Sequence, residues 1–205
     1  MIAILHYGIG NLLSVQNMLR KAGVTDALIT SEAGELRRAD KIVLPGVGHF
    51  DNGMKLLRAS GMFDALHQKV VVERTPVLGI CLGAEMLTKG SEEGDEPGLG
   101  WIDAHCDRFR PDELTEPLAV PHMGWAEVSA CKESKLLADL PEDPRYYFSH
   151  SYHIGCENPE DRLLAAHHGI EFTAAVEKGN IAGVQFHPEK SHKFGLRLLA
   201  NFAGA

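Results

Sequence analysis

The stretch "TPVLGICLGAEML", residues 75–87, is a run of strand-forming apolar residues that ends at a cysteine between two glycines, with a helical pattern beginning at once. A strand that delivers a nucleophile into a sharp turn before a helix is the nucleophile-elbow arrangement, written G-x-S-x-G in hydrolases. Gly79, Ile80, Cys81, Leu82 and Gly83 repeat that spacing with sulfur in place of oxygen. The glycines fit because a side chain on either flank would crowd the turn and block substrate. A helix start beside the sulfur favours a thiolate, lowering a pKa that begins near about 8.5. The sequence therefore predicts a partly activated Cys81.

The residues before the elbow alternate between two textures. "IAIL" at 2–5 is a short apolar run broken by "GIGN", and "LLSVQNMLRKAG" then carries apolar residues at 12, 13, 15, 18, 19 and 22 before Gly23. This is strand, turn, amphipathic helix and glycine stop. "ALIT" with "SEAGELRRAD" makes a second unit, and "KIVL" with the helical "MKLLRAS" and "MFDALHQKVV" a third. "TPVLGI" is the fourth strand, and "LGAEMLTKG" is read as its helix. Buried strand runs alternating with helices predict an α/β fold: an open, mainly parallel sheet with helices on both faces.

From about residue 98 the segments "GWIDAHCDRF", "GWAEVSA", "RYYFSHSYHI", "LLAAHHG", "FTAAVEKG" and "IAGVQFH" are short, strand-like and punctuated by turn residues. A β-rich C-terminal half follows, closed by a helix over "KFGLRLLANFAG". The whole of residues 1–205 reads as one domain, long enough for a sizeable core.

A formal net charge of -8, with no long like-charge run, argues against a nucleic-acid partner. No segment has the length of a membrane span and the N-terminus lacks a basic leader, so a cytoplasmic protein is expected. Cys81, Cys106, Cys131 and Cys156 stand 25 residues apart, but their flanks do not match and no C-x-x-C pair exists. No metal and no cofactor are expected. Gly8 and Gly10 open like a dinucleotide fingerprint, but Leu13 stands at its last glycine position, so that reading is poor.

A cysteine nucleophile needs a base. In "GVQFHPEKS", His187 follows a strand run, Pro188 fixes a turn, and Glu189 lies where the turn can bring it back onto the imidazole. Cys81, His187 and Glu189 would be nucleophile, general base and orienting carboxylate.

Together with "YGIGNL", "LPGVGHF", "SEEG", "PHMGW", "HSY" and "FTAAV", these motifs resemble the class I glutamine amidotransferases along essentially the whole chain. Within that family the chain is similar to the subunits that feed ammonia to a synthase of histidine biosynthesis. The resemblance implies that Cys81 attacks the amide of L-glutamine, forms a glutamyl thioester and expels ammonia. It implies an oxyanion hole from Leu82 and from Val47 or Gly48, whose peptide flips into place. Substrate contacts are implied for Gly46, Gly48, Glu85, Glu93, Ser151 and Tyr152. Pro121, His122, Met123, Gly124, Trp125 and Lys190 would face a barrel-type synthase subunit in a heterodimer.

Four positions depart from the family pattern. His6 stands where aspartate is usual, His49 where alanine is common, and Ala126 where asparagine follows "PHMGW". Glu85 replaces a glutamine one turn after the nucleophile, where an ionised carboxylate would oppose thiolate formation. These departures leave open a paralogue that serves a sugar-modifying partner in surface polysaccharide synthesis, or a silent regulatory subunit. A free-standing cysteine peptidase is more distant, since it leaves the glutamine-site motifs unexplained.

Overall fold

The computed structural model describes residues 1–112, 115 and 118–204. Its first half contains β1 (Ile2–Leu5), α1 (Leu12–Lys21), β2 (Ala27–Thr30), α2 (Ala33–Leu36), β3 (Lys41–Gly46), α3 (Phe50–Ala59), α4 (Phe63–His67), β4 (Val77–Cys81) and α5 (Leu82–Glu85). The second half contains β5 (Ala104–Arg108), β6 (His122–Ala130), β7 (Arg145–His150), β8 (Tyr152–Cys156), β9 (Arg162–His167), β10 (Glu171–Lys178), β11 (Ile181–Val184) and α6 (His192–Gly204).

The sheet runs β2-β1-β3-β4-β11-β10-β9-β6-β7, with β8 pairing β10 and β5. β2, β1, β3, β4 and β11 pair in parallel, while every pairing beyond β11 is antiparallel. Period-two alternation sends neighbouring strand residues to opposite faces. Ile2, Ile4, Val43, Leu78 and Ile80 meet α1 and α6 through Val15, Leu19, Phe194, Leu198 and Phe202. Ala3, Leu5, Ile42 and Leu44 meet Leu36, Met54, Leu57 and Leu66 of α2, α3 and α4 on the other face. Apart from Lys41 at the start of β3, these strands are therefore apolar, because both sides are covered.

The helix read over "LGAEMLTKG" is much shorter than its pattern suggests. α5 ends at Glu85, and the Leu87 and Thr88 amides then donate to Ala84 O and Glu85 O in tighter turns. The Lys89 amide leaves for Ala104 O on β5, which pulls the chain out of the helix. "MFDALHQKVV" likewise passes from α4 into a wider π turn over Gln68–Val72.

What positions the site is the order of three neighbouring strands. β3, β4 and β11 lie side by side and parallel, with Gly46 opposite Cys81 and Val184 opposite Ile80. Their C-terminal ends open on one edge, which is where open α/β sheets bind ligands. Residues 47–49, Cys81 and His187 all follow from those ends.

Candidate active site

Cys81 ends β4 with φ 53 and ψ -117, a strained conformation for a residue with a Cβ. Close packing enforces the glycines around it. A Cβ on Gly83 would lie 1.8 Å from Leu44 O, and one on Gly79 would lie 2.6 Å from Gly83 O. Tyr7 supports this corner from below, its hydroxyl donating to Pro45 O at 2.7 Å.

The partly activated cysteine expected from the sequence is not what the resting site provides. Burial pushes the Cys81 thiol well up, the Glu85 charge pushes it further, and the Leu82 N–H pulls the other way without offsetting them. α5 is a single turn, so it supplies little of the helix field that the sequence reading relied on.

His187 is buried, and its Nδ1 lies 2.9 Å from Glu189 Oε1. The carboxylate accepts, so Nδ1 carries the proton and Nε2 is left as the basic nitrogen. The Glu189 side chain is 1% exposed, and the turn through Pro188 returns it to the imidazole. The His187 amide donates to Tyr147 O and the Tyr147 amide to Ser191 Oγ, which docks β7 beside this segment.

Around these groups lies a cleft of about 490 Å³, lined by Val47, Gly48, Cys81, Leu82, Glu85, Glu93, Pro121, Ser151, Tyr152, His187 and Lys190 among the residues singled out from the sequence. Gly46 sits behind it, where a Cβ would lie 2.7 Å from Gly83 N. Gly48 has φ 100, a backbone state that glycine alone adopts freely. Glu93 Oε2 accepts from Phe50 N at 2.7 Å and so holds the start of α3. Lys190 reaches over the Tyr147 ring at 5.6 Å. Met123 and Trp125 stand exposed on β6, whereas His122 points inward and is buried.

His49, Ser149 and His150 also line the cleft, and no role was read for them from the sequence. Gln185 was missed as well. Its Nε2 donates to Glu85 Oε1 at 2.7 Å inside the protein. β11 ends at Val184 and the chain bends at Gln185 and Phe186, so no strand periodicity in the sequence places the Gln185 side chain. Burial, opposed by the Gln185 hydrogen bond and assisted by the Glu93 charge, raises the Glu85 pKa to about 7. Among the described residues no cluster could hold a metal ion.

The family model "Glutamine amidotransferase class-I" matches residues 4–204. The chain is a class I glutamine amidotransferase. This amidotransferase is 48% identical over 202 residues to "Imidazole glycerol phosphate synthase subunit HisH 2" of Pseudomonas aeruginosa, with 98% of each chain covered. It is 50% identical to the subunit of the same name in Methanococcus maripaludis, again with 98% of each covered. The HisH subunit of Leptospira interrogans is 45% identical, with 99% of each covered. The amidotransferase also shares its fold with a solved glutamine amidotransferase at TM-score 0.74 and 20% identity, covering 100% of this chain and 99% of that one.

Proposed function

We propose that this amidotransferase is the glutaminase subunit of an imidazole glycerol phosphate synthase. It hydrolyses L-glutamine and hands ammonia to a barrel-type synthase subunit in histidine biosynthesis. The observation that carries the chemistry is that His187, held by Glu189, lines the same cleft as an elbow cysteine. The names of the full-length relatives supply the synthase and the pathway.

In this reading His187 Nε2 takes the Cys81 proton as the sulfur attacks the glutamine amide carbon. Leu82 N–H and the main chain at Val47 or Gly48 receive the oxyanion, a service worth about 3 kcal/mol per donor. Collapse breaks the C–N bond, and the proton on His187 leaves with nitrogen as ammonia. Water then loses a proton to His187 and attacks the thioester, releasing glutamate and restoring the thiol. Glu189 keeps the imidazole in the required tautomer throughout. Burial and the Glu85 charge favour the thiol over the thiolate at rest, so in this reading His187 takes the proton as the sulfur attacks.

Glutamine would sit against Gly48, Glu85, Glu93 and the main chain of Ser151 and Tyr152. The synthase subunit would cover the mouth of the cleft, which Lys190 lines, and would meet the exposed apolar side chains of Met123 and Trp125 on β6. A second reading has one observation in its favour. In P. aeruginosa the relative numbered HisH 2 is 48% identical and the one numbered HisH 1 is 43% identical. Kinship with the second copy fits a paralogue that feeds a different ammonia acceptor.

Glutamate release should be followed with and without a histidine-pathway synthase subunit carrying its nucleotide ligand. Strong stimulation, abolished by Cys81→Ala, is the expected result. A folded, glutamine-hydrolysing chain that ignores this partner would overturn the pathway assignment and favour the paralogue.

A further inference from the structure

Beside the Ser151 and Tyr152 wall of the cleft, and reaching its lining at His150, lies a group of histidines that the chemistry above does not use. His150 and His122 are each 5% exposed. His150 Nδ1 is 2.6 Å from Tyr152 O, and His150 Nε2 is 3.1 Å from His122 Nδ1. A carbonyl only accepts, so His150 Nδ1 carries the proton and Nε2 is an acceptor in the neutral ring. His122 Nδ1–H must then be the donor. The direction of both hydrogen bonds is fixed by the chain end at Tyr152 O.

Packing holds the His122 ring in the plane this requires. It lies nearly parallel to Phe148 at 5.0 Å and to His168 at 4.1 Å, with interplanar angles of 21° and 22°. His168 in turn is anchored through Nε2 to Ala119 O at 2.9 Å. Phe109 meets the His150 ring edge-on at 5.3 Å.

The Tyr152 main chain is the object of this arrangement. Arg108 of β5 faces Tyr152 in the ladder, and the bond across it runs from Phe109 N to Ser151 O. In such a non-hydrogen-bonded pair the N–H and C=O of Tyr152 both point away from β5. The ladder therefore does not hold that carbonyl; His150 does.

We infer that His122 is a positioning residue for glutamine binding: through His150 it fixes the Tyr152 main chain, and it ties that wall to β6, whose next residue Met123 is exposed. This rests on the reading that Ser151 and Tyr152 hold glutamine. Both imidazoles stay neutral at ordinary pH, since burial first of all lowers His122 to about 4 and His150 to about 3. The relay therefore keeps one direction across the working range.

The test is calorimetric titration of L-glutamine into a Cys81→Ala chain, alone and with His122→Asn, His122→Gln or His122→Phe added. The asparagine amide stands where Nδ1 stands, one bond from Cγ, and can donate to His150. The glutamine amide lies one atom farther out and cannot occupy that place. Asparagine should keep Kd within about twofold of the parent, and the other two should weaken it about tenfold, the size of one lost hydrogen bond inside a protein. In the Cys81 chain the same loss should raise KM and leave kcat near its starting value. Equal Kd for the asparagine and glutamine variants, both folded by thermal melting, would overturn the relay while leaving the cleft assignment standing. A parent that binds no glutamine would overturn the cleft reading and the relay with it.

Discussion

Glu85 is the residue whose proposed part in the activity is most open to test. The sequence shows it as a carboxylate where a neutral amide is usual, but gives no sign of its state. Burial beside Gln185 supplies that state, with a pKa raised to about 7. As the neutral acid Glu85 can imitate the usual amide. As the anion it adds to the burial that already holds the Cys81 thiol protonated. Glu85→Gln should therefore match or exceed the parent in glutaminase kcat/KM near pH 6, with an advantage growing about tenfold by pH 8 as Glu85 ionises. Steady-state assays from pH 6 to 8.5 check this, and a pH-independent ratio would count against it. Cys81→Ala and His187→Ala should each lower kcat by about a thousandfold or more while melting close to the parent.

At the scale of elements, the elbow was legible because glycine spacing and an apolar run occur together at residues 75–87. Most strands and the long helices followed from periodicity for the same reason. Two features were not legible. The length of α5 depends on where the Lys89 amide finds its partner, and that partner is on β5, 15 residues away in sequence. The adjacency of β4 and β11 depends on a crossing of the whole C-terminal half, which no local pattern encodes. That adjacency brings the end of β11, and with it His187, to the edge where Cys81 stands. Gly83→Ala should show how tight the corner is. Its Cβ would meet Leu44 O at 1.8 Å, so β3 and β4 would have to part. A loss of about 3 kcal/mol or more in urea unfolding is expected, or failure to fold. A stable, active variant would show that the corner yields more easily than its packing implies.

For the whole molecule, the buried titratable groups pull stability in opposite directions with pH. His122 and His150 are neutral in the fold but protonated in the unfolded chain below about pH 6.5. Each therefore costs stability as pH falls toward about 4. Glu85 is protonated in the fold up to about 7 but ionised in the unfolded chain above about 4.5, so it costs stability as pH rises. Between about pH 4.5 and 6.5 the unfolded state holds two extra protons on histidine and lacks one on Glu85. These three groups together contribute a net one proton, which raises the unfolding free energy by about 1.4 kcal/mol per pH unit there, and Glu85→Gln should steepen the slope by about the same amount. Urea titrations at intervals across that window check both values, and a slope unchanged in the variant would show Glu85 ionised in the fold.

The proposed activity depends most directly on Cys81 as the nucleophile and on His187 as its activator. The chain should be treated with acivicin, an electrophilic glutamine mimic, and its intact mass and labelled peptide determined with and without glutamine. A single adduct on Cys81 is expected, slowed by glutamine and slowed strongly again by His187→Ala. The other three cysteines serve as internal controls, since Cys131 is exposed while Cys81 is buried. Labelling that follows exposure to Cys131, or that reaches Cys81 at the same rate without His187, would contradict those roles.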